Sequence, residues 1–324
     1  MRVSEVESLR TRRVLRAHSA RQLGTFAGLL TLCVILWAAT PHFLTVSNLL
    51  NVLEQTALNA VVAVGMTFVI ISGGIDLSVG SVLAFSGIAL ARTLEAGAPA
   101  PVGIAVALAV GLACGLINGA LITRGRLPPF IATLGMMSVA RGAALMMAEG
   151  RPISGFSEGF RALATERVFM IPAPVIITAV IYAGAHFVLT RTVFGRTTYA
   201  IGGNEEAARL SGVQVRFHKT AIYGVAGVMS AAAAVVLTAR LNSAQPTAGT
   251  MYELDAIAAT VIGGTSLLGG EGSLIGTLIG ALIMGVLRNG LNLLNVSSFV
   301  QQVVIGAVIV GAVLIDMSLK RRNR

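Results

Sequence analysis

Residues 48 to 84 read NLLNVLEQTALNAVVAVGMTFVIISGGIDLSVGSVLA and hold two apolar runs separated by a polar, glycine-rich break. The first run lasts until Ile71, where Ser72-Gly73-Gly74 interrupts it. A helix needs about 20 mostly apolar residues to span a bilayer. The stretch therefore predicts two membrane helices joined by a short break, with Ser47 as the N-cap of the first.

Apolar runs of this kind recur along the chain, and the sequence predicts ten of them. They lie at 23–40, 48–71, 78–94, 102–123, 130–148, 173–190, 220–239, 254–263, 274–292 and 299–317. The 324 residues are 55% hydrophobic and 12% charged, whereas a soluble domain is about 25% charged. We expect an all-α, polytopic membrane bundle of about ten helices without a large soluble domain. The run at 254–263 is too short to cross alone and could form a re-entrant or broken helix.

The basic residues fall mainly on one side of the predicted bundle. Lysine and arginine in short loops stay cytoplasmic, and with the N-terminus inside, the inner segments hold 17 of them against five in the outer segments. We expect basic cytoplasmic segments at 1–22 and 320–324 around a lipid-embedded transmembrane domain at 23–319. The first apolar run is expected to be an anchor and not a cleaved signal. Because topology explains the net charge of +10, no nucleic-acid partner is expected.

The residues that would carry enzymatic chemistry are missing from the sequence. A P-loop needs Gly-Lys-Ser/Thr, but Lys219 follows a histidine and Lys320 follows a leucine. The chain has no HExxH or GxSxG motif and no paired Asp or His cluster in a span, which argues against an intramembrane enzyme. Cys33 and Cys114 lie inside apolar runs, and the four histidines are scattered. We expect a protein that is not an enzyme and has no metal and no cofactor.

A second glycine-rich break, GGTSLLGGEGS, lies at 263–273. Its likeness to the first break is consistent with a weak internal repeat of the kind found in transporters, or with two similar turns. Two glycine series with a period of four predict smooth helix faces for close packing. They are Gly111, Gly115 and Gly119, and Gly272, Gly276 and Gly280.

The longest inner loop is predicted at 191–219 and is the most polar internal stretch. Asn204 could cap a short helix that begins at Glu205 and is closed by Ser211-Gly212. An acidic start and a glycine stop are typical of a short helix outside the membrane. The loop is either a plain solvated connection or a docking surface, and its length and internal capping favour docking.

At this loop the sequence resembles the permease subunits of ATP-binding-cassette importers. Their signature is Glu-Ala-Ala, three residues, then Gly, which Glu206, Ala207, Ala208 and Gly212 match; the usual downstream Leu-Pro is absent. Stretches 48–84, 202–213, 239–283 and 289–299 resemble the ribose-type monosaccharide branch of that family in order and spacing. The resemblance implies an ATPase-coupling element. Its residues would be Gly202, Gly203, Asn204, Glu205, Glu206, Ala207, Ala208 and Gly212.

The same resemblance implies the partners and the location. A homodimer of permeases would work with a cytoplasmic ATP-binding subunit and a periplasmic or surface-anchored sugar-binding protein, in the bacterial plasma (inner) membrane. A permease without a P-loop must take its energy from such a partner. The sequence does not identify the sugar.

Polar residues in or beside the spans are the candidates for a translocation path, because they are costly in hydrocarbon unless they face a cavity or a partner. The main candidates are Asp76, Ser78, Asn242, Gln245, Thr250, Glu253, Asp255, Asn289 and Asn292. Asn51, Asn59 and Gln301 are weaker members. Each has a structural alternative, such as holding a break for Asp76 and Asp255 or interhelical hydrogen bonding for Asn289 and Asn292. Arg141 and Arg288 are expected to pair with carboxylates or carbonyls inside the bundle.

Two other functions remain open at this point. The chain could be an importer permease for a nucleoside or a branched-chain amino acid. It could also be an ion-coupled secondary carrier, in which Asp76 or Asp255 would be the coupling carboxylate. The loop at 191–219 favours an importer, since a carrier needs no docking site for an ATPase.

Overall fold

The computed structural model describes residues 23 to 322, with side chains described to Leu314. It is 76% helical, which confirms the all-α prediction. The predicted segment 1–22 and the side chains of the predicted tail at 320–324 lie outside the described part. The ten predicted apolar runs all fall on helices.

The helices are numbered in chain order. The first seven are α1 (Leu23–Ala39), α2 (Val46–Ile71), α3 (Val79–Glu95), α4 (Ala100–Thr123), α5 (Pro129–Met147), α6 (Glu158–Thr165) and α7 (Ala173–Arg191). The remainder are α8 (Val193–Gly203), α9 (Glu205–Leu210), α10 (Val215–Leu241), α11 (Tyr252–Ile262), α12 (Leu274–Leu293) and α13 (Ser298–Arg322). Within the described residues, six of these helices are long and apolar enough to cross a membrane: α2, α4, α5, α7, α10 and α12.

Within residues 23–322, four two-residue strands lie in the segments between helices. They are β1 (Ile153–Ser154), β2 (Arg167–Val168), β3 (Ile171–Pro172) and β4 (Ser243–Ala244). β2 and β3 form an antiparallel hairpin, whereas β1 pairs antiparallel with β4, so that Ile153 lies opposite Ala244. The β1–β4 pair ties the segment after α5 to the segment after α10.

Two sequence predictions about helix starts are wrong. The N-cap of α2 is Thr45 and not Ser47, because the Thr45 hydroxyl accepts the Asn48 amide and α2 begins at Val46. α10 begins at Val215, five residues before the predicted start at 220. The start of α10 contains Arg216, His218 and Lys219, so hydropathy alone placed the start too late.

α2 and α10 form the centre of the bundle. Every residue of α2 from Ala60 to Ile71 is buried, as expected for a helix surrounded by other helices. The first predicted glycine face packs as expected: a Cβ on Gly115 would overlap with the carbonyl of Tyr223 in α10. The second series is correct only for Gly276 and Gly280, because Gly272 lies in the break before α12, which begins at Leu274. In the same way Gly280 of α12 lies against the backbone of Ala259 in α11.

Candidate functional site

The segment after α7 folds into the capped helix that the sequence predicts. The Asn204 carboxamide oxygen accepts the Ala207 amide at 2.9 Å and caps α9. At the other end, Gly212 has a φ of 87°, its amide donates to Arg209, and the Val213 amide donates to Ala208. This pair of bonds is a Schellman motif, which favours glycine at its left-handed position. The predicted cap and glycine stop are therefore confirmed.

A second helix, α8, precedes α9 and was not predicted. Thr192 caps it by accepting the Gly195 amide. Its Ile201 packs with Ala208 of α9 and Val215 of α10 in a small apolar cluster. Hydropathy missed α8 because its 11 residues are too few for a span and it contains Arg196 and ends in two glycines.

One face of α9 remains open to solvent. Five of the predicted coupling residues, Gly203, Asn204, Glu205, Glu206 and Ala207, are exposed, as is Gly212, whereas Ala208 is buried. Glu206 pairs with Arg209 at 2.6 Å, and Glu205 reaches the buried Lys219 of α10 at 2.7 Å. The face presents both charge signs on a short helix that is anchored to α10.

Beneath this face, α8 contacts both glycine-rich breaks. A Cβ on Gly202 would overlap with the Ile71 carbonyl oxygen and would lie 2.5 Å from the Gly270 amide nitrogen. The Gly270 amide donates to Ile71 at 2.8 Å. The Tyr199 hydroxyl donates to the Gly272 carbonyl at 2.8 Å. The breaks after α2 and α11 thus meet each other and α8, a contact that sequence analysis did not predict.

The first break is held by buried polar groups. The Asp76 carboxylate, only 2% exposed, accepts the Ser78 amide at 2.9 Å and the Ser78 hydroxyl at 2.6 Å. The Asn118 carboxamide of α4 donates to that hydroxyl at 2.9 Å. These bonds fix the turn that leads into α3, in agreement with the structural interpretation of Asp76.

An irregular segment at 242–251 separates α10 from α11. Asn242 has a φ of 49° at the end of α10, and its side chain accepts the Phe156 amide at 3.0 Å. Arg141 of α5 donates to the carbonyls of Pro246 and Ala248 at 2.7 and 2.8 Å, which confirms the predicted pairing of Arg141 with carbonyls. Farther along, Gly249 packs on Gly80 at the start of α3.

Gln245 and Thr250 on this segment are exposed, and Glu253 at the start of α11 is half-buried. An 11-residue helix measures about 16 Å, roughly half the hydrocarbon thickness. Non-helical backbone at membrane depth is tolerated where it is buried in protein or lines a wet cavity. The short helix α11 is compatible with the re-entrant or broken helix expected at 254–263.

Asp255 was expected to hold a break but has a different role. Its carboxylate, 2% exposed, accepts two bonds of 2.7 and 2.8 Å from Arg288 of α12, and Asn59 of α2 lies 3.4 Å away. Met251, not Asp255, is the N-cap of α11. The predicted pairing of Arg288 with a carboxylate is confirmed, and Asp255 joins three helices instead of capping a break.

The amides of Asn289 and Asn292 are both engaged between helices. Asn289 and Asn48 of α2 exchange two carboxamide bonds of 3.0 and 2.8 Å in the core. Asn292 accepts the Gln301 carboxamide of α13 at 2.8 Å. These contacts match the structural alternative. Asn289 is buried, so a solute could reach its amide only by displacing Asn48, whereas Asn292 is exposed.

The arrangement defines a class of protein: a helical membrane bundle in which α8 contacts two glycine-rich breaks between helices. The chain matches the family described as branched-chain amino acid transport system / permease component over residues 48–313. It belongs to that permease family and is a multi-pass protein of the bacterial plasma (inner) membrane.

Curated relatives match over almost the whole chain. The ribose import permease protein RbsC of Bacillus subtilis is 51% identical over 298 residues, covering 91% of this chain and 92% of the relative. The Escherichia coli (strain K12) protein of the same name is 49% identical, covering 89% and 91%. The D-allose transport system permease protein AlsC of Escherichia coli (strain K12) is 39% identical, covering 92% of each chain. No solved structure matches the chain.

Proposed function

We propose that this chain is the transmembrane permease subunit of an ATP-binding-cassette importer and forms the path for a monosaccharide of the ribose type. The observation that carries the substrate class is the 51% identity to a ribose import permease over 91% of the chain. Relatives named for D-allose and xylose are 39% and 36% identical. The family description names branched-chain amino acids, which keeps an amino acid as the second candidate substrate.

Energy comes from a partner ATPase in this proposal. The chain has no Gly-Lys-Ser/Thr sequence, and α9 offers an exposed, internally capped face. A cytoplasmic ATP-binding subunit docks on Gly202–Ala208 and Gly212, a second copy of the permease completes the path, and an external sugar-binding protein delivers the substrate.

The proposed topology has ten membrane segments and both termini in the cytoplasm. It is supported by the six span-length helices, by the shorter apolar helices Leu23–Ala39 and Ser298–Leu314, and by α3 and the half-length α11. Ion pairs support it as well, because arginines at the end assigned to the outside lie beside carboxylates that offset their positive charge. Arg92 lies beside Glu149, and both Arg167 and Arg240 lie beside Glu54.

The proposed path follows the first break at 72–80 and the irregular segment at 242–255. Gln245, Thr250 and Glu253 are its accessible polar groups, and Asn242 shapes the segment. Asp76 and Ser78 hold the surrounding backbone, Asp255 joins α2, α11 and α12, and Asn289 and Asn292 support the helices behind the path. A neutral sugar needs weak, exchangeable hydrogen bonds here, because tight binding would trap it.

An ion-coupled carrier is the weaker alternative. Its coupling carboxylate would be Asp76 or Asp255, and both are 2% exposed and already hydrogen-bonded. A carrier would also leave the exposed face of α9 without a use.

Uptake by proteoliposomes that contain the permease, its ATPase and its binding protein tests the proposal. We expect uptake of labelled ribose to require internal ATP and to survive a protonophore, with unlabelled leucine failing to compete. Uptake without ATP that the protonophore abolishes would replace the importer with a carrier. Competition by leucine and not by ribose would change the substrate class.

A further inference from the structure

A basic groove lies beside the docking face, at the ends of two membrane helices. Its volume is about 490 Å³, and it is lined by Arg124, Arg209, Val213, Gln214, Val215, Arg216, Phe217 and Thr220. Arg124 follows directly after α4, and Arg216 is in the first turn of α10. Both helices are long enough to span a bilayer. The groove therefore lies at the level where a span meets the lipid headgroups.

The charge of the groove is largely uncompensated. Arg209 pairs with Glu206. Across the described part of the chain, neither Arg124 nor Arg216 has a carboxylate within ion-pair distance. Two guanidinium groups facing one cavity without an acidic partner are suited to an anion, and guanidinium binds phosphate oxygens bidentately.

An apolar ridge continues from the groove along α4. Leu121 and Ile117 lie one and two turns before Arg124 on the same face, with 39% and 49% of their surface exposed. Phe217, 74% exposed, lies at the rim of the groove. A ligand that fits this surface has an anionic head and a long apolar tail.

We propose that the groove of Arg124, Arg209 and Arg216 binds the phosphate of an anionic phospholipid, whose acyl chains lie along Leu121 and Ile117. Basic pockets between membrane helices on the cytoplasmic side bind anionic headgroups in this way. The apolar ridge favours a lipid over an acidic segment of the ATPase, which would leave the ridge unused. The inference rests on the proposed function only for placing the groove on the cytoplasmic side.

Lipid selectivity of the full chain in vesicles tests the proposal. Spin-labelled phosphatidylglycerol and spin-labelled phosphatidylcholine would each be added to phosphatidylcholine vesicles that contain the permease, and the immobilised fraction of each probe measured. We expect a preference for phosphatidylglycerol that falls about tenfold in Arg124→Gln/Arg216→Gln, since each arginine near the surface contributes appreciably. Arg196→Gln, an exposed α8 arginine outside the groove, is the matched control and should retain the preference.

Three outcomes would overturn the proposal. One is equal preference in wild type and the double variant. Another is displacement of the labelled lipid by millimolar inorganic phosphate, which would make free phosphate the ligand. The third is an unchanged lipid preference with loss of ATPase binding in the double variant, which would make the groove part of the docking surface. Unfolding in pure phosphatidylcholine should be the same for both proteins. A destabilised double variant would be replaced by the single variants Arg124→Gln and Arg216→Gln, each of which should lose part of the preference. Because the assay uses the permease alone, its failure leaves ATP-driven uptake unaffected.

Discussion

The amide of Gly270 donates a hydrogen bond of 2.8 Å to the carbonyl of Ile71, which joins the two glycine-rich breaks of the bundle. Gly202 of α8 lies against both groups so closely that no side chain fits. A movement of α8 and α9 would therefore displace both breaks directly, without another helix between them. This contact is the route by which we propose that a docked ATPase acts on the path.

The docking face can be altered without unfolding the bundle. Glu206 has 67% of its side chain exposed, and exposed ion pairs contribute about 1 kcal/mol or less to stability. Glu206→Lys and Gly212→Trp should insert normally but lose transport-coupled ATP hydrolysis by about tenfold or more. Gly212→Asn is the control, because asparagine tolerates the left-handed conformation. Normal coupled hydrolysis by the Gly212→Trp complex would count against docking at α9.

The Asp255–Arg288 pair should contribute to stability. Arg288→Met leaves a buried carboxylate unpaired and should lower the free energy of unfolding in detergent by about 2 to 4 kcal/mol. Asp255→Asn/Arg288→Met should recover part of that loss, as expected for coupled neighbours. Glu95→Gln, which breaks the exposed Arg92–Glu95 pair, should change the free energy of unfolding by less than about 1 kcal/mol. Equal decreases in the free energy of unfolding in the three variants would mean that the Asp255–Arg288 pair contributes no more than the exposed pair.

Asp76 should act through hydrogen bonding and not through proton transfer. In Asp76→Asn the carboxamide oxygen still accepts from Ser78, so uptake should be reduced but remain driven by ATP and insensitive to a protonophore. Asp76→Ala removes both bonds and should abolish uptake. If wild-type uptake depended on pH and Asp76→Asn lost that dependence, Asp76 would be a proton carrier.

Side-specific labelling tests the proposed topology. In a tagged variant without Cys33 and Cys114, a cysteine at 206 should react with an impermeant maleimide only after the membrane is opened. A cysteine at 158, in α6, should react in intact cells. Labelling of position 206 from outside would contradict the assignment of both termini to the cytoplasm.

The features that the sequence predicts correctly are local in origin. The Asn204 cap and the Gly212 stop depend on residues within one turn of each other, and the glycine faces follow from a period of four. The apolar runs predict membrane helices because a span requires only sufficient length and an apolar composition, and both can be read along the sequence. Thr45 and Ser47 both carry hydroxyls, and only the backbone decides which of them caps α2.

The remaining features arise from tertiary contacts between distant residues. Gly202 contacts one break at Ile71, about 130 residues before it, and the other at Gly270, about 70 residues after it. No local sequence pattern encodes contacts over such separations. Asp255 has no basic residue nearby in sequence, so its pairing with Arg288 required the α11–α12 packing. Glu54, which lies beside Arg167 and Arg240, was missed because a single acidic residue in an apolar run gives no pattern.

The contact of Gly202 with the two breaks is tested most directly by ATP hydrolysis and sugar uptake measured in the same proteoliposomes. In Gly202→Val the side chain would displace Ile71 and Gly270, so hydrolysis should continue while uptake falls by about tenfold or more. Gly184→Ala in α7 is the control, because it lies outside the docking element and no atom lies within 4 Å of its added Cβ, and it should leave both rates unchanged. Wild-type uptake by the Gly202→Val complex, at an unchanged rate of hydrolysis, would contradict the proposed coupling route.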